Sequence, residues 1–142
     1  DATFFDTTPT SVTTFWFALE DATLSNGCLW VQPGGHTGPL RERFVRTDAD
    51  RRTGQPRPAG PLVMEKCDAT PWPGISTALA LEVGAGSLVA FHGLLPHYSA
   101  PNRSPKSRHA YTLHATDAHA TYSPRNWLQR DAHLPVRGFA FS

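Results

Sequence analysis

The sequence predicts an all-β protein of the jelly-roll or a related sandwich type, and three observations carry that expectation. Apolar residues recur with a period of two. The alternating runs are short and rich in β-branched and aromatic residues. Gly- and Pro-bearing turns separate them, and no helical period is sustained over ten residues. Antiparallel strands of this kind must stack or close to hide their edges.

Taken in order, residues 12–19 read as one strand and residues 28–32 as another, joined through the turn Ser25-Asn26-Gly27. A Pro33-Gly34-Gly35 break leads to a strand through Phe44-Val45. Residues 47–61 are rich in Arg, Asp, Pro and Gly and offer no core face. Residues 61–67 resume a short strand, 70–74 form a Pro-rich turn, and 77–83 alternate again. After Gly84-Ala85-Gly86 the run 87–92 has strand length, and 108–115 alternates beyond the polar loop 101–106.

Composition narrows the function classes. The chain has 142 residues, 39% of them hydrophobic, with 13 basic against 12 acidic side chains. That describes one domain or a large piece of one over residues 1–142. A net charge of +1 with scattered basic residues argues against nucleic acid. No run of eighteen apolar residues points to a membrane, and residues 1–9 lack the pattern of a signal peptide. Cys28 and Cys67 belong to no CxxC pair, so the expected setting is intracellular. The C-terminal Ala140-Phe141-Ser142 is not a peroxisomal address, which leaves the cytoplasm as the expected location. Nothing fixes an oligomeric state. The chain opens at Asp1 without an initiator Met, directly before a β-type sequence. A truncated domain, an expression product or a processed precursor would each begin this way.

Seven histidines are present. His92 and His97 bracket a break between two extended pieces, where a histidine is either a ligand at the mouth of a sheet or a hydrogen-bonded structural residue. Arg108 lies eleven residues beyond His97. If the two begin neighbouring antiparallel strands, both side chains reach one interior, and an interior guanidinium needs an anion matched to its planar fork. The alternative is an arginine exposed on an edge strand.

Three blocks of residues then carry a resemblance. His97-Tyr98-Ser99-Ala100-Pro101-Asn102-Arg103-Ser104, with Ser107-Arg108-His109-Ala110-Tyr111-Thr112-Leu113-His114, is similar to the second metal-ligand segment of the phytanoyl-CoA dioxygenase family. Trp16-Phe17-Ala18-Leu19-Glu20-Asp21-Ala22-Thr23, with Asn26-Gly27-Cys28-Leu29-Trp30 and Pro33-Gly34-Gly35-His36, resembles the segment that follows its first metal motif. Tyr122-Ser123-Pro124-Arg125-Asn126-Trp127-Leu128-Gln129 resembles the tail of one branch of that family, the domain-containing protein 1 group.

The resemblance implies a double-stranded β-helix, cupin-like and incomplete at its N-terminus, which is the C-terminal portion of one dioxygenase domain. It implies Fe(II) held by Asp1 and His97, and 2-oxoglutarate held by Ser99 and Arg108 beside Trp16. Ascorbate is implied as an accessory reductant and a small molecule as the substrate to be hydroxylated. Asn26-Gly27 and Pro33-Gly34-Gly35 read as turn chemistry, and His36 as structural or substrate-side. His92, His109 and His114 read either as outer hydrogen-bond partners of the site or as ordinary strand histidines. Trp16 stands equally as a core aromatic. Arg51, Arg52 and Arg57 read as solvated loop or as contacts to an anionic substrate.

One departure matters. The family's first motif is His-x-Asp, and Asp1 takes the place of its aspartate, so the motif's histidine has no counterpart among these residues. Impaired activity and an exposed sheet edge are the expectations. The competing reading is a noncatalytic β-sandwich binding domain or an inactive pseudo-oxygenase. Convergence of Asp1, His97, Ser99 and Arg108 in one pocket separates the two.

Overall fold

Burial along Thr13–Ala18 alternates residue by residue: Thr14, Trp16 and Ala18 face inward while Thr13, Phe15 and Phe17 are half-buried on the other side. A run of this composition suits a pleated surface packed on one face. In the computed structural model, which describes residues 1–47, 60–130 and 133–134, no α-helix occurs among those residues. The strands are β1 (Thr7–Thr8), β2 (Thr13–Ala18), β3 (Leu29–Val31), β4 (Glu42–Arg46), β5 (Leu62–Lys66), β6 (Leu79–Leu81), β7 (Leu88–His92), β8 (His97–Ser99), β9 (Ala110–Ala115) and β10 (Thr121–Tyr122). Each longer run read from the sequence contains one of them.

Two three-stranded antiparallel sheets, in the orders β7-β2-β9 and β6-β3-β8, face each other. The core between them joins Trp16, Ala18 and Phe91 from the first sheet to Leu29, Leu81 and the adjoining Ala22 and Cys28. This is the β-sandwich that the alternating pattern predicted, of the cupin-like kind that the resemblance implied. Two ribbons complete the described structure: β4 pairs with β5, and β1 with β10.

The expected pairing of the strands beginning near His97 and Arg108 does not occur. β8 pairs with β3, whereas β9 pairs with β2 in the opposite sheet. The connection between β8 and β9 is far longer than the two to five residues of a typical hairpin, so it crosses the sandwich instead of turning back. Arg108 therefore reaches the β8 residue Ser99 across the layer and not along a hairpin.

Near the chain ends, Asn126 is wholly buried and acts as an amide clamp. Its Oδ1 accepts from Asp6 N at 2.7 Å and its Nδ2 donates to Asp6 O at 2.9 Å. Among the described residues, β7 and β9 are the outer strands of their sheet, and Leu88, Tyr111 and Leu113 are exposed.

Candidate metal and co-substrate site

Two strands that face each other carry the site. β2 turns Thr14 and Trp16 inward, and β8 carries His97 and Ser99 at the same two-residue spacing. Successive residues on one face of a strand lie roughly 7 Å apart, so these side chains form two rungs separated by about that distance.

The first rung gathers around the Asp1 carboxylate. Thr14 Oγ1 donates to Asp1 Oδ2. His97 Nε2 lies 3.7 Å from Oδ1, and His114 Nε2 lies 3.5 Å from Oδ2. Thr14 and His114 are cross-strand partners in β2 and β9, which explains why both reach the same oxygen.

The backbone seats Asp1 by three contacts to the strand connection after β7. Gly93 O accepts from Asp1 N at 2.7 Å and from Ala2 N at 2.9 Å, and Gly93 N donates to Val12 O at 2.8 Å. A Cβ at Gly93 would stand 1.9 Å from Val12 Cγ1, so only glycine allows this approach.

His97 is oriented by its own neighbours. Its Nδ1 lies 2.8 Å from Leu95 O. A carbonyl can only accept, so Nδ1 carries the hydrogen and Nε2 of the neutral ring presents its lone pair to Asp1. Burial holds the imidazoles of His97 and His114 below the ordinary histidine range. This favours the neutral ring that a metal requires.

A lone pair and a carboxylate oxygen facing each other with no hydrogen between them suit a cation. The 3.7 Å gap is somewhat wider than the roughly 3 Å that two neighbouring ligand atoms, each about 2 Å from one first-row metal ion, would span, so the pair would draw together on a bound ion. The residues present thus fit a metal with two protein donors. Among the described residues, no group of three His, Cys, Asp or Glu side chains is arranged to hold an ion. His114 does not make a third donor with the pair, because it approaches the far oxygen of Asp1.

On the second rung, Arg108 Nη2 donates to Ser99 Oγ at 3.3 Å, and the guanidinium carbon sits 5.6 Å from the centre of the Trp16 ring. Trp16 is a core residue and lines this rung at once, so its two sequence readings are compatible. No carboxylate of the described residues pairs with Arg108, which leaves its fork open to an external anion.

Of the other histidines, His36 and His92 contact each other, with ring centres 6.0 Å apart, and His109 pairs with Glu20. Arg51, Arg52 and Arg57 lie outside the described residues. A cavity of about 260 Å³ opens on Asp1 and His97 between Phe4, Leu40, Met64 and Trp72. A second, of about 300 Å³, reaches His97 past Ile75 and Tyr98.

Sequence reading passed over Thr14 and Gly93. Thr14 carried a usable signal, since it stands two residues before Trp16 and so shares its face. Gly93 carried none, because the atom it must avoid belongs to a residue eighty positions away.

The fold and its donors define a cupin-like β-sandwich with a carboxylate–histidine pair at one end of its interior and an arginine fork beside it. The chain belongs to the phytanoyl-CoA dioxygenase family, whose sequence profile matches residues 1–110. It is 43% identical over 131 residues to phytanoyl-CoA dioxygenase 1 of Oryza sativa subsp. japonica, covering 92% of this chain and 42% of that protein. It is 42% identical over 137 residues to phytanoyl-CoA dioxygenase domain-containing protein 1 of Bos taurus, covering 95% of this chain and 44% of that protein. The crystal structure of EvdO2 from Micromonospora carbonacea var. aurantiaca superposes with a TM-score of 0.50 at 28% identity, over 89% of this chain and 46% of that one. The chain thus spans well under half the length of the curated relatives it matches.

Proposed function

We propose that this chain carries the metal and co-substrate site of an Fe(II)- and 2-oxoglutarate-dependent dioxygenase that hydroxylates an aliphatic C–H of a small organic or acyl substrate. The observation that supports this reading is the pair of rungs: a carboxylate and an imidazole on one, and an open arginine fork with a hydroxyl on the next, about 7 Å along the strands. A 2-oxo diacid has its metal-binding head and its distal carboxylate at two ends of a short chain, and the rungs offer one partner set to each.

Asp1 and His97 would hold the iron, and the family pattern puts the third ligand, a histidine, two positions before Asp1. With 2-oxoglutarate and O₂ the iron would supply the oxidising chemistry, in which one oxygen atom goes into succinate, released with CO₂, and the other to the substrate carbon. Leu95 O keeps the Nε2 lone pair of His97 directed at the metal, and Thr14 fixes the rotation of the Asp1 carboxylate. Arg108 and Ser99 take the distal carboxylate, and Trp16 covers the guanidinium. The cavities that meet at His97 receive the substrate. The proposed location is the cytoplasm.

The test is succinate formation from 2-oxoglutarate with Fe(II), and with ascorbate as reductant. Arg108→Lys loses the planar fork and should raise KM for 2-oxoglutarate by about tenfold or more. Absence of succinate under these conditions would rule out the catalytic reading. A noncatalytic domain would bind metal without turnover.

A further inference from the structure

The turn-rich segment from Glu20 to Gly27 lies outside both rungs, yet it grips the chain on either side of the arginine fork. Glu20 stands just past the end of β2, and its carboxylate accepts three hydrogen bonds from the residues flanking Arg108. Ser107 Oγ donates at 2.8 Å, the backbone N–H of His109 at 2.7 Å, and His109 Nδ1 lies at 3.1 Å. These hydrogen bonds, the backbone one of His109 first, hold the Glu20 carboxyl below its usual range. It is therefore a standing acceptor near neutral pH. Leu19 N adds a bond to His109 O at 3.0 Å.

Asn26 holds the same chain from the other side. It is 5% exposed, and its Nδ2 donates to Ser107 O at 3.2 Å and to Asp21 O at 2.8 Å, while its Oδ1 accepts from Thr23 N at 2.7 Å. Ser107 and His109 are thus each tied to the segment by more than one bond, with Arg108 between them. Gly27 serves the Ser99 side. It has a φ of 89°, and a Cβ there would stand 2.7 Å from Ala100 O, the carbonyl that follows Ser99. Only glycine adopts this backbone and leaves room for the chain leaving β8.

We infer that Glu20, Asn26 and Gly27 are positioning residues for the distal carboxylate of the co-substrate, because together they fix the backbone at Ser99-Ala100 and at Arg108. None of the three touches that carboxylate. They hold the guanidinium and the hydroxyl as one preformed fork, 3.3 Å apart, so that little ordering is left to the moment of binding. The inference rests on the proposed reading of Ser99 and Arg108 as the co-substrate clamp.

Pyruvate isolates the effect, since it has the same 2-oxoacid head as 2-oxoglutarate and no distal carboxylate. Binding of each is measured by calorimetry on Mn(II)-loaded, oxygen-free protein, wild type against Glu20→Gln and Gly27→Ala. Both variants are expected to reduce the preference for 2-oxoglutarate over pyruvate by about tenfold, with affinity for pyruvate and for Mn(II) unchanged. Glu20 is half-exposed, so Glu20→Gln carries the test even if Gly27→Ala fails to fold. An unchanged preference in Glu20→Gln, or a parallel loss of both ligands, overturns the positioning role. A wild-type protein that does not favour 2-oxoglutarate over pyruvate overturns the clamp reading itself.

Discussion

The two rungs of the site are built by opposite means. Around Asp1 the work is done by side chains projecting from strands: Thr14 from β2, His97 from β8 and His114 from β9, all largely shielded from water. Around Arg108 the functional side chains are more open, and precision comes from backbone tied down by Glu20 and Asn26. A strand fixes a donor through register alone, whereas a residue just ahead of a strand needs its neighbours held. On the proposed reading, metal affinity and co-substrate affinity should respond to separate sets of residues.

Substitutions can break or sharpen that separation. The largest effect is expected for His97→Ala, which removes a metal donor. Mn(II) affinity, followed by calorimetry, should fall by more than the roughly 100-fold upper range of outer-partner changes, and both oxoacids should lose binding with it. Retained Mn(II) affinity would place the metal elsewhere. Next in size are Thr14→Val and His114→Gln, which strip outer partners from Asp1. Each should cost about 10- to 100-fold in Mn(II) affinity while the ratio of 2-oxoglutarate to pyruvate binding holds constant. A change in that ratio would show the rungs to be coupled. The smallest effect belongs to Trp16→Leu, which removes the ring over Arg108. Titration with 2-oxoglutarate should show a loss of about two- to fivefold, with Mn(II) binding intact.

Much of the fold was legible because burial on one face leaves a period of two in the sequence. Residues 12–19 announced β2, and the runs at 61–67 and 87–92 announced β5 and β7. Pairing was not legible. Nothing local says that β8 lies beside β3, and the simplest guess, a hairpin from His97 to Arg108, fails because the connection is long enough to change sheets. At the site, the roles expected of His97, Ser99 and Arg108 came from the family resemblance, and the structure brings Ser99 to Arg108 and His97 to Asp1. The roles of Glu20 and Asn26 were hidden, since both sit in a segment whose letters already make sense as a turn. His114 was one of several histidines until the register with Thr14 singled it out.

The Asn126 clamp has a consequence for when the molecule becomes competent. It joins residues 120 positions apart, and the seat of Asp1 on Gly93 joins residues 92 apart. Contacts of such long range form only after the intervening chain has lost much of its freedom, which slows their appearance relative to local pairings such as β4 with β5. Closure of the Asn126 amide on Asp6 is therefore a late event of folding, one that follows the local pairings and seals the sandwich behind them.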